Sequence, residues 1–184
     1  MQKKMFVVLL TVSLTLLCSG QTLLTDLDTL EGTVIGANNA GGDHEELGST
    51  ADAHFWRVEG KGRDIWEDND NFYYLHTPEV VSGDFDVVIS VQTFDPVVAG
   101  DYPNPWGKSG IMARADLTNN CMHAFIAVTM HNQPDDPAGR LLSQQGRKEA
   151  GTGNNLNMQM EGFSTPIDLR LVREGQVFTT YYKY

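Results

Sequence analysis

The chain has 184 residues, and its 24 acidic residues outnumber 13 basic ones, which gives a formal net charge of −11 at pH 7. A surface this acidic repels phosphate backbones and anionic lipids, so binding to nucleic acid or to membrane surfaces is not expected. It suits a protein that binds cations or neutral ligands such as sugars, or one whose charge serves solubility.

The first twenty residues are typical of a cleaved export signal. A short basic start, MQKK, precedes the apolar run MFVVLLTVSLTLLC, which is too short to span a bilayer. Small residues at 18–20 suit a signal peptidase, so we predict a secreted chain that begins at Gln21 and has no membrane insertion. An uncleaved anchor and a lipoprotein acylated at Cys18 are the alternatives. Without the two lysines of this leader the net charge is −13.

Cys121 is the only cysteine that remains after the predicted cleavage. The mature chain is therefore not a disulfide scaffold, and its core must stabilise the fold without covalent links. A length of about 164 residues is enough for one domain with a substantial core. We expect the unpaired thiol to be buried.

Strand patterns follow one another along most of the chain. In FDVVISVQT (85–93) apolar residues occupy the odd positions from 85 to 91, and polar residues occupy most of the even positions. The other predicted strands are FWRVEG (55–60), NFYYLHT (71–77), KSGIMAR (108–114), CMHAFIAVT (121–129), IDLRLVRE (167–174) and QVFTTYY (176–182). Turn-rich segments separate them, and no helical periodicity intervenes. This predicts an all-β protein, an antiparallel sandwich over residues 53–184.

The two ends of this predicted domain differ from its middle. Residues 21–52 are rich in Gly, Asn and acidic residues, so we predict an irregular lead-in with one edge strand at GTVIG. At the other end the last strand runs to Tyr184 with no partner after it. Because proteins avoid open aromatic edges, we expect the sandwich to be incomplete at its C-terminus, with room for further domains in the full-length protein.

The order of several motifs resembles a known superfamily. GKGRDIWEDNDNFYYLHTPEVVSGDFDVVISV is followed by WGKSGIMARADL, HAFIAVT and LRLVREGQVFTTYY. Over residues 55–184 this series is similar to the concanavalin A-like lectin/glucanase superfamily, and within it to laminin-G-like domains of secreted proteins. The resemblance implies a jelly roll of two antiparallel sheets. In that family the last motif usually continues into a serine, an Asp-Gly turn and a tryptophan, whereas this chain stops at YYKY.

Exposed aromatic residues are the first candidates for a binding site. Pro103 and Pro105 stiffen the loop DYPNPW, which carries Tyr102 and Trp106, and Trp66 adjoins an acidic turn. With Lys108 as a nearby cation, these three aromatic residues form the predicted ligand-binding set, for a carbohydrate or a glycosylated surface. The alternative places the tryptophans in the core and lets Lys108 and Arg114 pair with acidic neighbours at the ends of a core strand.

The acidic turn EDNDN is the candidate metal site. Asp68, Asn69 and Asp70 supply the oxygen ligands that calcium prefers, although the spacing does not match an EF-hand. We therefore predict a structural Ca²⁺ at these three residues and no other cofactor. The alternative is a solvated turn between strands.

No catalytic motif is complete. Cys121 and His123 share a strand face, but no third group orients them, and a half-buried structural histidine is the favoured interpretation. DLDTLE, Asp26 to Glu31, has roughly the carboxylate spacing of the superfamily's glucanases, but it lies in the lead-in. Three hypotheses follow: a non-catalytic carbohydrate-binding module, a structural or adhesion domain with protein–protein contacts, and a relative of glycoside hydrolases.

Overall fold

A computed structural model describes residues 6–13, 29–36, 40–50, 53–96, 106–130 and 140–184. Within these ranges the chain is all-β and contains no α-helix. None of the described residues forms a helix that could cross a membrane. The described strands are β1 (Phe6–Ser13), β2 (Glu31–Ile35), β3 (Gly41–Ser49), β4 (Ala53–Lys61), β5 (Phe72–His76), β6 (Phe85–Pro96), β7 (Lys108–Arg114), β8 (His123–Thr129), β9 (Arg140–Arg147), β10 (Leu156–Phe163), β11 (Ile167–Glu174) and β12 (Val177–Lys183).

The strands form three antiparallel sheets. The largest has six strands in the order β12-β11-β6-β1-β4-β3, the second has the order β10-β9-β8-β7, and β2 pairs with β5 in the third. The predicted all-β, antiparallel class is confirmed.

The two larger sheets contribute to one hydrophobic cluster. On β11 the alternate residues Ile167 and Leu169 are buried, and they register with Val91 and Ile89 of β6. The same cluster contains residues of the four-stranded sheet, namely Ile126, Val128 and Leu142. Alternation along each strand therefore assigns one face of both sheets to a common core, which we call the core face.

The other face of the four-stranded sheet is also covered. Met112, Phe125 and Ala127 pack there with Ile65 of the 62–71 loop, and Phe72 and Tyr74 of β5 pack against this second cluster. Because both faces are buried, β8 is apolar at almost every position, as its sequence HAFIAVT predicts. Position 110 of β7 has room only for glycine, because a Cβ there would lie 2.0 Å from the Ile126 carbonyl oxygen of the neighbouring strand.

All seven strands predicted in the domain are present within a few residues of their predicted bounds. The tight turn after Glu174 is confirmed, with Gly175 at φ +60° joining β11 to β12. The GTVIG strand is present as β2 and pairs with β5. Three further strands, β3, β9 and β10, were not predicted, because their glycines, acidic residues and glutamines are unfavourable for strands.

The predicted leader also contains a strand. The backbone of β1 lies between β4 and β6 and pairs antiparallel with both. Predicted residue Tyr102 lies outside the described residues, as do the first three residues of the DLDTLE segment, 26–28.

Truncation of a core residue should test the shared cluster. Leu169 is 0% exposed, so Leu169→Ala should lower the free energy of unfolding by about 2–5 kcal/mol because it leaves a cavity. Val177→Ala, at a position 63% exposed, is the matched control and should change it by less than about 0.5 kcal/mol. Urea denaturation measures both, and equal effects would contradict the assignment of the core face.

Candidate functional site

A buried carboxylate lies at the centre of the best-connected polar cluster. Asp70 is fully buried at the end of the acidic turn, and both of its oxygens accept hydrogen bonds from Arg147 of β9, at 2.8 Å from Nη2 and 3.0 Å from Nη1. Arg147 is also buried, and it donates to the carbonyl oxygens of Glu67 at 2.7 Å and Cys121 at 3.0 Å. This bidentate pair fixes the turn against the four-stranded sheet.

A second arginine completes the neutralisation of Asp70. Arg114, the last residue of β7, donates from Nη1 to Asp70 Oδ2 at 2.9 Å and from Nη2 to the Thr118 carbonyl oxygen at 2.7 Å. Its guanidinium also lies over the ring of Phe72, 5.3 Å from the centroid. The predicted alternative, in which Arg114 pairs with a nearby acidic residue, is confirmed. Two guanidinium groups around one carboxylate leave a buried net positive charge.

His123 lies beside this cluster, and its imidazole is uncharged at neutral pH. Its Nδ1 is 3.8 Å from Asp70 Oδ2, and neither ring nitrogen has a hydrogen-bond partner among the described residues. Burial lowers the pKa of His123 from 6.5 to about 4; Asp70 opposes this shift, while Arg147 and Arg114 add to it. The loss of hydration therefore outweighs the attraction of the carboxylate.

Cys121 and His123 do not form a catalytic pair in this arrangement. The Cys121 thiol is buried, as predicted, and its Sγ donates to the Asp116 carbonyl oxygen at 3.2 Å. A nucleophilic thiolate needs an adjacent base and access to substrate. The geometry supplies neither, since the thiol bonds a backbone oxygen and is 1% exposed.

Within the acidic turn, Asp70 differs from Asp68 and Asn69, which are exposed. Asp70 is buried rather than solvated, and its two oxygens serve the arginines. Asn69 accepts a hydrogen bond from Asn119 at 2.8 Å, and Asp68 is exposed. Within the described ranges no three His, Cys, Asp or Glu side chains lie close enough to hold a metal ion. The calcium prediction stays a prediction, with Asp68 and Asn69 as its accessible oxygen donors.

Lys108 is held in an ion pair. Its ammonium lies 2.6 Å from Asp64 Oδ1, and its side chain is 6% exposed. Trp66 lies two residues after Asp64, and Trp106 lies two residues before Lys108. Both tryptophans are exposed, by 39% and 46% respectively. The ion pair thus joins the two segments that carry exposed indole rings.

A cavity of about 1020 Å³ adjoins this ion pair. Its wall includes Asp64, Lys108 and Trp106, and it continues past Tyr74 and His76 of β5. Tyr74 donates to the Met112 carbonyl oxygen at 2.8 Å and stacks on His76 at 5.4 Å, while burial raises its pKa to about 12. The wall therefore combines aromatic rings with charged and polar side chains, Lys61, Arg63 and Asp116 among them.

Comparison with known proteins gives no relative. No family model matches the chain, and no curated protein or solved structure matches it.

The Asp70 cluster should be sensitive to loss of its one carboxylate. Asp70→Asn leaves Arg114 and Arg147 buried without a counter-charge, and the free energy of unfolding should fall by about 3–5 kcal/mol. Asp68→Asn in the same turn is the control and should change it by less than about 0.5 kcal/mol. Thermal or urea denaturation distinguishes them; a small effect at Asp70 would contradict the structural role of the cluster.

Histidine protonation should make stability depend on pH. Between pH 6.5 and about 4 the unfolded chain binds a proton at His123 that the folded chain does not, so stability falls as pH falls. The loss should approach about 3 kcal/mol by pH 4. Comparing unfolding of the native chain with that of His123→Phe cancels the other titrations. A difference between the two chains that stays constant from pH 7.5 to pH 4 would contradict the buried neutral histidine.

Proposed function

We propose that this chain is a secreted, non-catalytic module that binds carbohydrate, built as a jelly-roll sandwich of the concanavalin A-like kind. Three features support this proposal: the order of sequence motifs, the antiparallel all-β architecture with a core shared by two sheets, and the export leader. Its acidic charge also favours a neutral ligand over a polyanion.

One observation carries the choice of ligand. Trp66 and Trp106, both exposed, lie on segments that the Asp64–Lys108 pair holds together. Sugars bind to aromatic faces through their C–H groups and to a few fixed polar groups through their hydroxyls. Asp64 is 40% exposed and supplies such a polar group, because its second oxygen is not the one that Lys108 and the Ile65 backbone N–H contact.

A second function is favoured by a different surface. Leu156, Met158 and Met160 register with core-face residues of β9, yet Met158 and Met160 are 57% and 42% exposed. On the edge of the other large sheet, Tyr182 and Tyr184 are also exposed. Uncovered apolar rows on two edge strands suit a protein–protein contact, as expected of an adhesion domain.

Binding to a glycan array, with calcium and with chelator, tests the carbohydrate proposal. We expect selective binding to neutral glycans. Trp106→Ala or Trp66→Ala should weaken it by about tenfold or more, because each change removes an aromatic platform worth at least 1–2 kcal/mol.

Tyr181→Ala provides the matched control. Tyr181 is an exposed aromatic on β12 whose ring packs against Arg170, and alternation along the strand puts it on the face opposite to Phe178 and Thr180, the β12 residues that line the cavity. This variant should bind as the native chain does. If no glycan on the array is bound in either calcium or chelator, the carbohydrate proposal is overturned, and the protein–protein function becomes the favoured one. Loss of binding only in chelator would assign a role to the Asp68–Asn69 oxygens.

A further inference from the structure

The centre of the six-stranded sheet is formed by a segment that export would remove. The eight residues of β1 pair with β4 on one side, from Phe6↔Gly60 to Ser13↔Ala53. They pair with β6 on the other side, from Phe6↔Pro96 to Ser13↔Val88. The whole of β1 lies inside the predicted leader, residues 1–20. The inference below rests on the proposed secretion, because only export removes this strand.

Removal of β1 leaves a gap that its neighbours cannot close by a simple shift. The strands β4 and β6 are each antiparallel to β1 and are therefore parallel to each other. The gap is two strand spacings wide, about 10 Å. Closing it would require a new parallel pairing and would move Trp56 and Val58 relative to Ile89 and Val91, although all four belong to one buried cluster.

An empty gap would expose backbone and core together. The N–H and C=O groups that face β1 lie in the interior of a sheet, where unpaired polar groups are costly. The neighbours of alternate β1 positions are core residues: position 8 registers with Val58 and Phe94, and position 10 with Trp56 and Val91. A strand that fills the gap must therefore be extended and apolar at every second position.

We propose that the secreted chain carries a strand-acceptor slot between β4 and β6. Its occupant is an extended segment of a partner polypeptide, at least eight residues long and apolar at alternate positions, which enters antiparallel to both strands. A second copy of this chain is a weaker donor, because each described strand from β2 to β12 already pairs within its own sheet. Donation of an inner strand would break as many ladders as it forms, and donation of an edge strand would leave the next strand of the donor's sheet unpaired on one side.

The slot is tested with the chain's own leader strand as probe. A synthetic peptide of Phe6–Ser13, with lysines added at both ends for solubility, is titrated into the exported chain that begins at Gln21. We expect saturable one-to-one binding and new protection of β4 and β6 amides in hydrogen exchange. A peptide with Val8→Pro and Leu10→Pro should bind at least about tenfold more weakly, because each proline removes a ladder hydrogen bond.

The full 184-residue chain, produced without export, is the matched control. It has the same edge strands as the exported chain, namely β2, β3, β5, β7, β10 and β12, but its slot is filled. Peptide binding to the exported chain but not to the full chain therefore assigns binding to the slot. Equal binding by both would locate the peptide at an edge strand and overturn the inference.

Three other results would also overturn the proposal. One is protection of β4 and β6 amides in the exported chain without peptide, which would mean that the gap closes. The second is the same protection only in a dimer, which would make a second copy the occupant. The third is an unfolded exported chain that the peptide does not fold. Rescue of folding by the peptide would support the slot.

This test is independent of the sugar-binding proposal. The titration contains no glycan, so its failure leaves the array result with Trp66 and Trp106 intact. N-terminal sequencing of the exported protein tests the leader separately. Retention of residues 1–20 would refute the predicted cleavage and with it the open slot, whereas absence of glycan binding would leave the slot unaffected.

Discussion

The pairing of the Asp70 carboxylate with two arginines is the interaction on which the arrangement of the acidic turn and the four-stranded sheet depends. The carboxylate is fully buried, and it joins the acidic turn, the end of β7 and the end of β9 through Arg114 and Arg147. Those two strands are otherwise separated by β8 in the sheet. A buried charge is costly unless its partners are close and well aligned, so the cluster tolerates few arrangements of these segments. The loop that carries Ile65 and Trp66 is held against the sheet as a consequence.

The candidate binding surface follows from this anchoring. The same loop places Asp64 against Lys108, and each of the two exposed tryptophans lies two residues from one member of that pair in the sequence. Polar residues in this region therefore have a structural use first. What remains available to a ligand is the aromatic surface, together with the part of Asp64 that Lys108 does not cover. A non-catalytic binding function is consistent with this division between anchoring and exposed groups.

The sequence predicted the site only in part, for identifiable physical reasons. The acidic partners of Lys108 and Arg114 were anticipated as an alternative, because cations at the ends of a buried strand need counter-charges. Arg147 was missed, since RLLSQQGR does not show the alternation of a strand. Its polar residues Ser143 and Gln145 are buried with it on one face. Asp70 was predicted to face calcium or solvent, and nothing local distinguishes it from exposed Asp68.

The sequence by itself determined the all-β class, eight of the described strands and the hairpin at Gly175, because alternation and glycine turns are local properties of the chain. Only the tertiary structure decided which carboxylate of the turn is buried, since that choice depends on two arginines 44 and 77 residues away. The tertiary structure also gave the six-stranded sheet its order and made the residues of β1 its central strand. Strand order and long-range charge pairing depend on which segments meet in space, and the local pattern of neighbouring residues does not specify those contacts.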